Sequence, residues 1–341
     1  MSISRNIVQS SVELIILLVA LFFTLEIQGI ASTLIISNTI MLLLLYKYSK
    51  NLFHFKKGFD KPLLTFSISS FFIFIISNWL SQIDTIMLGH FTNVKEIAIY
   101  NVAMPTAQTI FLISTALLSV FLPTISEKYA KKQSIETEYK KTFHWILLLA
   151  IPFSVLLIFF SQKIVEIFFG SVYYLASIPL SILAASLLIF SLSRPSFNVL
   201  LMLNKTKILL KLSISIIIID ILLNLCLIPL SLRYYQYGMY GASIATGISF
   251  IILSLLTIKY AKKYSKIPIF DKTAWKITFS GILALIPLLI IRIMVKNQNI
   301  FNIILYLVLF GILYLFFLFV LNCFDEEDKK ISLALKEKFQ N

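Results

Sequence analysis

Charged side chains are scarce in this chain. Asp, Glu, Lys and Arg together make up 13% of its 341 residues, about half the share of an ordinary soluble domain. That scarcity excludes a solvated globular fold of any size. Cysteine is scarce as well. Cys226 and Cys323 fall in separate apolar runs with no C-x-x-C between them, which excludes a disulfide framework, a zinc site and a thiol redox pair. The three histidines, His54, His90 and His144, are scattered at the ends of apolar runs and read as interface residues, not as metal ligands. Long external loops are lacking too. A membrane enzyme such as a glycan polymerase or acyltransferase needs clustered Arg, His and Asp groups in such a loop, and every external connection here is about a dozen residues or fewer by the pattern of apolar runs.

What is present is hydrophobic length. Apolar residues reach 59% of the chain, and runs long enough to span a bilayer recur throughout. The expected fold is an all-α polytopic membrane protein of about ten spans: 12–29, 32–48, 62–89, 97–122, 142–161, 175–203, 207–230, 241–261, 274–295 and 300–323. The first run, Leu14–Phe23 after Arg5, resembles a signal peptide. It is flanked by Glu13 and Glu26 and leads directly into a second apolar run, so it is read as the first span. The net charge of +14 raises a nucleic-acid reading, but the lysines sit in short tracts between spans, where they act as a topology signal. With the N-terminus cytoplasmic, 24 Lys and Arg fall on the cytoplasmic side and 5 outside. That split implies an inner-membrane protein with both termini cytoplasmic. The tract PTISEKYAKKQSIETEYKK (123–141) reads either as a basic amphipathic helix at the headgroups or as a solvated connector.

Several polar residues lie inside spans, where they are costly. Ser70, Ser77, Ser81 and Asp84 share one helical face, broadened by Asn78, Gln82 and Thr85. The face either hydrogen-bonds another helix or walls a hydrated cavity. Asp220 falls mid-span, with Ser213 and Asn224 on its face. Arg194, in SLSRPSF, is the one basic residue deep in a span. It snorkels to the interface, pairs with Asp220, or faces a cavity as a phosphate-binding cation; Pro195 beside it tends to kink the helix. The run GMYGASIATGIS (238–249) is small throughout, with Gly241, Ala242, Ala245 and Gly247 permitting close helix approach for sliding or for static packing.

Two stretches resemble a family. LLNLCLIPLSLRYYQYGMYGASIATGISF (222–250) is similar to the N-x-x-LIP … G-x-x-GA-x-x-AT signature of polysaccharide and O-antigen flippases, within the multidrug/oligosaccharidyl-lipid/polysaccharide exporter superfamily. DTIMLGHFTNVKEIAIYNVAMP (84–105) is similar to that family's D-x-x-x-LG … Y-x-x-A-x-P segment. The resemblance covers about residues 62–262. It implies two six-helix lobes around a cavity and movement of an undecaprenyl-pyrophosphate-linked oligosaccharide, or a related lipid-linked glycan, across the membrane by alternating access. On that plan, 1–61 holds the last two helices of an incomplete first lobe with a basic linker, 62–262 a complete second lobe, and 263–341 two further helices and a tail. The first four helices of a fourteen-helix member are then missing. The expectation is a truncated product, a remnant without function, a chain whose other half is a separate polypeptide, or one that assembles with another copy. The implied cavity residues are Ser77, Asn78, Ser81, Asp84, Asn101, Arg194, Asp220 and Asn224. The expected partners are the bilayer and a lipid-linked glycan, with no nucleic acid. No cofactor is expected beyond a coupling ion, Na⁺ or H⁺, and no enzymatic activity. A multidrug cation antiporter of the same superfamily is the alternative, with Asp84 and Asp220 as its ion-binding groups.

Overall fold

The computed structural model describes residues 61–268, 271–294 and 300–323, with the isolated positions Ile35, Ile36, Thr39 and Leu43 before them. The expected spans 12–29 and 32–48 and the tail after Cys323 therefore lie outside the described residues. Ten α-helices follow one another: α1 Lys61–Phe91, α2 Val94–Gln108, α3 Ile110–Ala130, α4 Glu136–Phe159, α5 Ser161–Phe169, α6 Ser177–Met202, α7 Thr206–Tyr235, α8 Gly238–Ser265, α9 Lys272–Met294 and α10 Ile300–Val320. A 3₁₀ turn, Ser171–Ala176, links α5 to α6. Among the described residues there is no strand.

The helices are amphipathic in the sense opposite to a soluble bundle. On α7, Ser213, Ile216, Asp220, Asn224 and Ile228 are buried at helical spacing, while Ile214, Ile218, Leu222 and Leu225 are exposed. On α10, Tyr306, Phe310, Tyr314 and Leu318 face inward and Leu305, Val308, Ile312, Leu315 and Phe319 face out. Exposed apolar surface on this scale is stable only against lipid. Among the described residues, five helical stretches are long and apolar enough to cross a bilayer, 94–130, 136–159, 171–202, 206–235 and 238–265, with shorter apolar helices at 64–76 and 305–320. The chain is an all-α, multi-pass membrane protein.

Two stretches gain detail from the structure. The span 97–122 falls within the helical stretch 94–130, which is divided where α2 and α3 meet at Thr109, whose hydroxyl donates to the Thr106 carbonyl at 2.6 Å, while Thr106 donates to the Val102 carbonyl at 2.6 Å. Pro105 brings no N–H to the helical ladder four residues before this break, and the two threonine hydroxyls bond nearby backbone carbonyls. The tract 123–141 forms no separate surface helix. Instead α3 continues to Ala130 and α4 starts at Glu136. The ion pairs Lys131–Glu127 and Lys140–Glu136, each one turn apart, extend the helices, and Lys128 pairs with Glu138 across the hairpin.

The small residues of α8 place it at the centre. It packs most broadly on α6 and α7. A Cβ added at Gly241 would sit 2.1 Å from the Leu227 carbonyl oxygen of α7, so the two backbones touch where glycine stands. Gly241 N–H also donates to Ser231 Oγ at 3.1 Å. At the start of α8, Met239 N–H donates to the buried Glu96 carboxylate of α2 at 3.1 Å. An acid at a helix N-terminus satisfies an orphan donor and complements the dipole. Asn93, in turn, caps α2 by accepting from Glu96 N–H at 3.0 Å. α9 and α10 pair with each other and dock on α4. Tyr314 OH donates to the Leu148 carbonyl at 3.1 Å, and His144 Nε2 lies 2.9 Å from Asp271 Oδ1 just before α9.

Candidate functional site

Asp84 is held in the interior by three helices. Its Oδ2 accepts from Tyr100 OH of α2 at 2.6 Å and from Thr246 Oγ1 of α8 at 2.5 Å. Its Oδ1 accepts from Asn224 Nδ2 of α7 at 2.9 Å. The same amide nitrogen lies 3.1 Å from the Asp220 carbonyl and 3.3 Å from Asp220 Oδ2. Asp84, Asp220 and Asn224 are each 0% exposed, so lipid and bulk water are both excluded.

The cluster has more acceptors than protons to give them. Asn224 offers two amide hydrogens to three oxygens. Among the described residues, Asp220 Oδ1 and Asn224 Oδ1 have no hydrogen-bond partner. Ser249 stands beside Asp220 with its hydroxyl outside hydrogen-bond geometry. Two carboxylates share one buried amide, and among the described residues no basic side chain pairs with either. Buried carboxylates are tolerated when neutralised or coordinated. The donor set, carboxylate, amide and hydroxyl oxygens, suits a proton or a small hard cation. No group of three His, Cys, Asp or Glu gathers among the described residues, so nothing in the set favours a transition metal.

A second feature lies toward the lysine-rich ends of the helices. A cavity of about 530 Å³ opens among α1, α2, α3, α6, α7 and α8, with Ser70, Gln108, Phe111, Arg194, Asn198 and Ser213 on its wall. Arg194 stands over the Phe111 ring, its guanidinium carbon 5.5 Å from the centroid. Its Nε has no hydrogen-bond partner among the described residues. It forms no ion pair with Asp220, one of the three arrangements open from sequence. Pro195 is accommodated within a continuous α6.

The structure thus brings Asp84, Asp220 and Asn224 together and sets Arg194 apart from them in the cavity wall. Asn101 joins neither group. It is exposed on α2, where its Oδ1 accepts from Thr85 Oγ1 at 3.2 Å. The backbones of Ser77, Asn78 and Ser81 belong to α1, and their side chains lie outside the described residues. Gly241, Ala242, Ala245 and Gly247 are all buried. Tyr100 and Thr246 were missed as site residues, although both stand in the quoted motifs: Tyr100 opens Y-x-x-A-x-P and Thr246 closes GA-x-x-AT. They read as scaffold because nothing local pairs either with a carboxylate 16 or 162 positions away.

Comparison with known proteins adds the lineage. The MatE family model matches residues 69–226, and the family model described as polysaccharide biosynthesis protein matches 1–129. The fold resembles a solved lipid II flippase MurJ, inward closed conformation, with a TM-score of 0.67 and 19% identity, covering 91% of this chain and 65% of that one. These matches agree with the resemblance to the multidrug/oligosaccharidyl-lipid/polysaccharide exporter superfamily read from the sequence. Curated proteins similar to this chain include an uncharacterised membrane protein of Methanocaldococcus jannaschii, 25% identical over 83% of this chain and 55% of that protein. Another is the protein named "Probable low-salt glycan biosynthesis flippase Agl15" of Haloferax volcanii, 26% identical over 70% of this chain and 48% of its own length. The chain spans about half the length of these relatives.

Proposed function

We propose that this exporter chain takes part in flipping a lipid-linked glycan across the membrane, with cation binding at Asp84 and Asp220 coupled to the movement. The observation that carries the reading is the pair of fully buried carboxylates sharing Asn224, in a fold and lineage whose named members include glycan and lipid II flippases. A charged sugar headgroup cannot cross about 30 Å of hydrocarbon unaided, so such a protein must offer it a polar path while the lipid tail stays in the bilayer.

The site supports coupling for a physical reason. Asp84 and Thr246 belong to helices α1 and α8, and Asn224 and Asp220 to α7. A cation that neutralises the two carboxylates draws these three helices together, whereas an empty pair of charges repels. Binding therefore has different free energies in two helix arrangements, which is the condition for an ion to bias a conformational equilibrium. Na⁺ and H⁺ both satisfy it. The finer parts of the reading are an undecaprenyl-pyrophosphate-linked oligosaccharide for surface polysaccharide synthesis, an inner-membrane setting with cytoplasmic termini, and a complementary half or a second copy as partner.

The MatE match favours a second reading, export of cationic drugs. The carboxylates argue against direct drug contact, because a site with no exposed surface and three neighbouring helices in hydrogen-bond range has no room for an organic cation. Reconstitution decides between them. The full chain in proteoliposomes is expected to move a fluorescent lipid-linked oligosaccharide faster under a Na⁺ or H⁺ gradient, and Asp84→Asn and Asp220→Asn to remove the gradient's effect. Glycan movement indifferent to both gradients and both substitutions, with gradient-driven efflux of an organic dye in its place, would overturn the proposal.

A further inference from the structure

At the lysine-rich end of the helices, acids and bases are sorted unevenly. Glu127, Glu136 and Glu138 of the α3–α4 hairpin hold Lys131, Lys140 and Lys128, and Asp271 before α9 holds His144. The α6–α7 turn with the first turns of α7 carries Lys205, Lys207 and Lys211, and the last turns of α8 carry Lys259, Lys262 and Lys263. Among the described residues none of these six has an ion pair. From Lys205 to Lys263 the one acid in the sequence is Asp220, which is buried. The two groups of lysines meet. Lys205 Nζ lies 4.7 Å and Lys263 Nζ 5.8 Å from the centroid of the same Tyr264 ring, and Leu209 of α7 and Ala261 of α8 share one buried apolar cluster. Like charges gathered in this way repel one another unless an anion joins them.

The helix faces narrow the missing partner. On α7, Lys207 and Lys211 are exposed and continue, at helical spacing, the outward stripe of Ile214, Ile218, Leu222 and Leu225. On α8, Lys259 and Lys262 are exposed and continue the outward stripe of Ile244, Ile248 and Leu255. Those apolar stripes face acyl chains. A lysine one turn further along the same face lays its stem against the chains and holds its ammonium at headgroup depth. The partner must therefore offer an apolar chain and an anion directly beside it. An anionic phospholipid offers both. An acidic protein or a nucleic acid offers only the anion, and a zwitterionic lipid cancels its phosphate with its own cation.

We propose that the lysine-bearing ends of α7 and α8 form a binding surface for anionic phospholipid, with the acyl chains along the two apolar stripes and the phosphodiester among Lys207, Lys211, Lys259 and Lys262. The surface faces the surrounding bilayer, apart from the carboxylate cluster and from the cavity beside Arg194, and it does not depend on the flippase reading. The competing occupant within the chain is the acidic run DEED (325–328). It follows α10, which docks on α9 and α4, and it brings no acyl chain to the stripes.

The test places the full chain in phosphatidylcholine nanodiscs doped with a photoactivatable phosphatidylglycerol or with a phosphatidylcholine of the same acyl chains, and maps the labelled peptides by mass spectrometry. One lysine at an anionic surface is worth about fivefold in affinity. Wild-type protein is therefore expected to label at the α6–α7 turn and the end of α8 at least about fivefold more with phosphatidylglycerol. The α3–α4 hairpin is the internal control. It is also rich in lysine, but its acids already hold Lys128, Lys131 and Lys140, so its preference should be smaller. Replacing Lys207, Lys211, Lys259 and Lys262 together by Gln should equalise the two lipids, and replacing the same four by Arg should keep the preference. A wild-type preference below about fivefold overturns the proposal. So does equal enrichment at the hairpin, or a preference that survives the four Gln substitutions. A preference that emerges only in Asp325→Asn, Glu326→Gln, Glu327→Gln, Asp328→Asn assigns the lysines to the acidic run and overturns it as well. The wild-type comparison with its internal control needs no substitution, so the proposal stays testable if the Gln variant does not insert.

Discussion

Substituting two glycines of the same helix by alanine should have opposite effects. At Gly241 the new Cβ would lie 2.1 Å from the Leu227 carbonyl oxygen, 2.5 Å from the Leu227 carbonyl carbon and 2.7 Å from Ser231 Oγ. A carbon–oxygen contact settles near 3.3 Å, so α8 and α7 must part by roughly 1.2 Å. The atom in the way is backbone and cannot rotate aside. Gaps of 0.5–1 Å already forfeit a quarter to a half of each dispersion contact they open, and overpacking costs about 1–3 kcal/mol or more. At Gly247 the nearest atoms are Ser186 Cβ and Oγ, each at 3.5 Å, which is ordinary contact. There alanine brings its helix-propensity advantage of about 0.8–1 kcal/mol. The two variants should differ by about 3 kcal/mol, or roughly 6–12 °C in melting temperature at 2–4 °C per kcal/mol. Thermal unfolding in detergent, with wild type between them, measures this directly. Parting α7 from α8 also stretches the path from Asn224 through Asp84 to Thr246, so Gly241→Ala should weaken ion coupling where Gly247→Ala does not. Equal melting of the two variants would refute the inference that backbone contact at Gly241 fixes the helix spacing.

Thr246→Val removes one donor from Asp84 and should destabilise by about 1–3 kcal/mol, the worth of a hydrogen bond to a charged group. Repeating it in an Asp84→Asn background should cost less, and a double-mutant cycle of melting temperatures measures the coupling. Glu96→Ala removes the acceptor for Met239 N–H at the start of α8 and should cost about 0.5–2 kcal/mol, as loss of a cap does; Glu96→Gln, which keeps a carbonyl acceptor, should cost less in the same melt. Asp271 provides a pH test. Partial burial pushes its pKa up, but Ala274 N–H, His144 and Lys140 outweigh that and hold it below the usual carboxylate range. A depressed carboxylate contributes stability above its unfolded pKa of about 3.9 and loses it as pH falls through the folded value. The stability deficit of Asp271→Asn should therefore be larger at about pH 5 than below about pH 4, shrinking as pH falls through the folded value.

Much of the fold was legible because burial in a membrane helix leaves a local record. The run 207–230 announced α7 by length and apolarity, and the spacing of Ser213, Asp220 and Asn224 announced its inward face. The break at Thr109 was not legible, since Pro105 and two threonines do not by themselves decide between bending a helix and ending it. The tract 123–141 was ambiguous because lysines beside glutamates suit a surface helix and an extended hairpin equally. Lys128 pairing with Glu138 is a contact across a turn, invisible to periodicity.

The sequence alone determined where the long apolar helices among the described residues run, which face of α7 is polar, and that lipid is the surrounding solvent, because each of these follows from residues within one or two turns of one another. It could not determine which polar groups meet. Asp84 finds Asn224 across 140 residues and Thr246 across 162, and among the described residues no acid pairs with Arg194. Those outcomes depend on how α1, α6, α7 and α8 are rotated and how closely glycine lets two of them approach, and only packing in three dimensions sets rotation and approach.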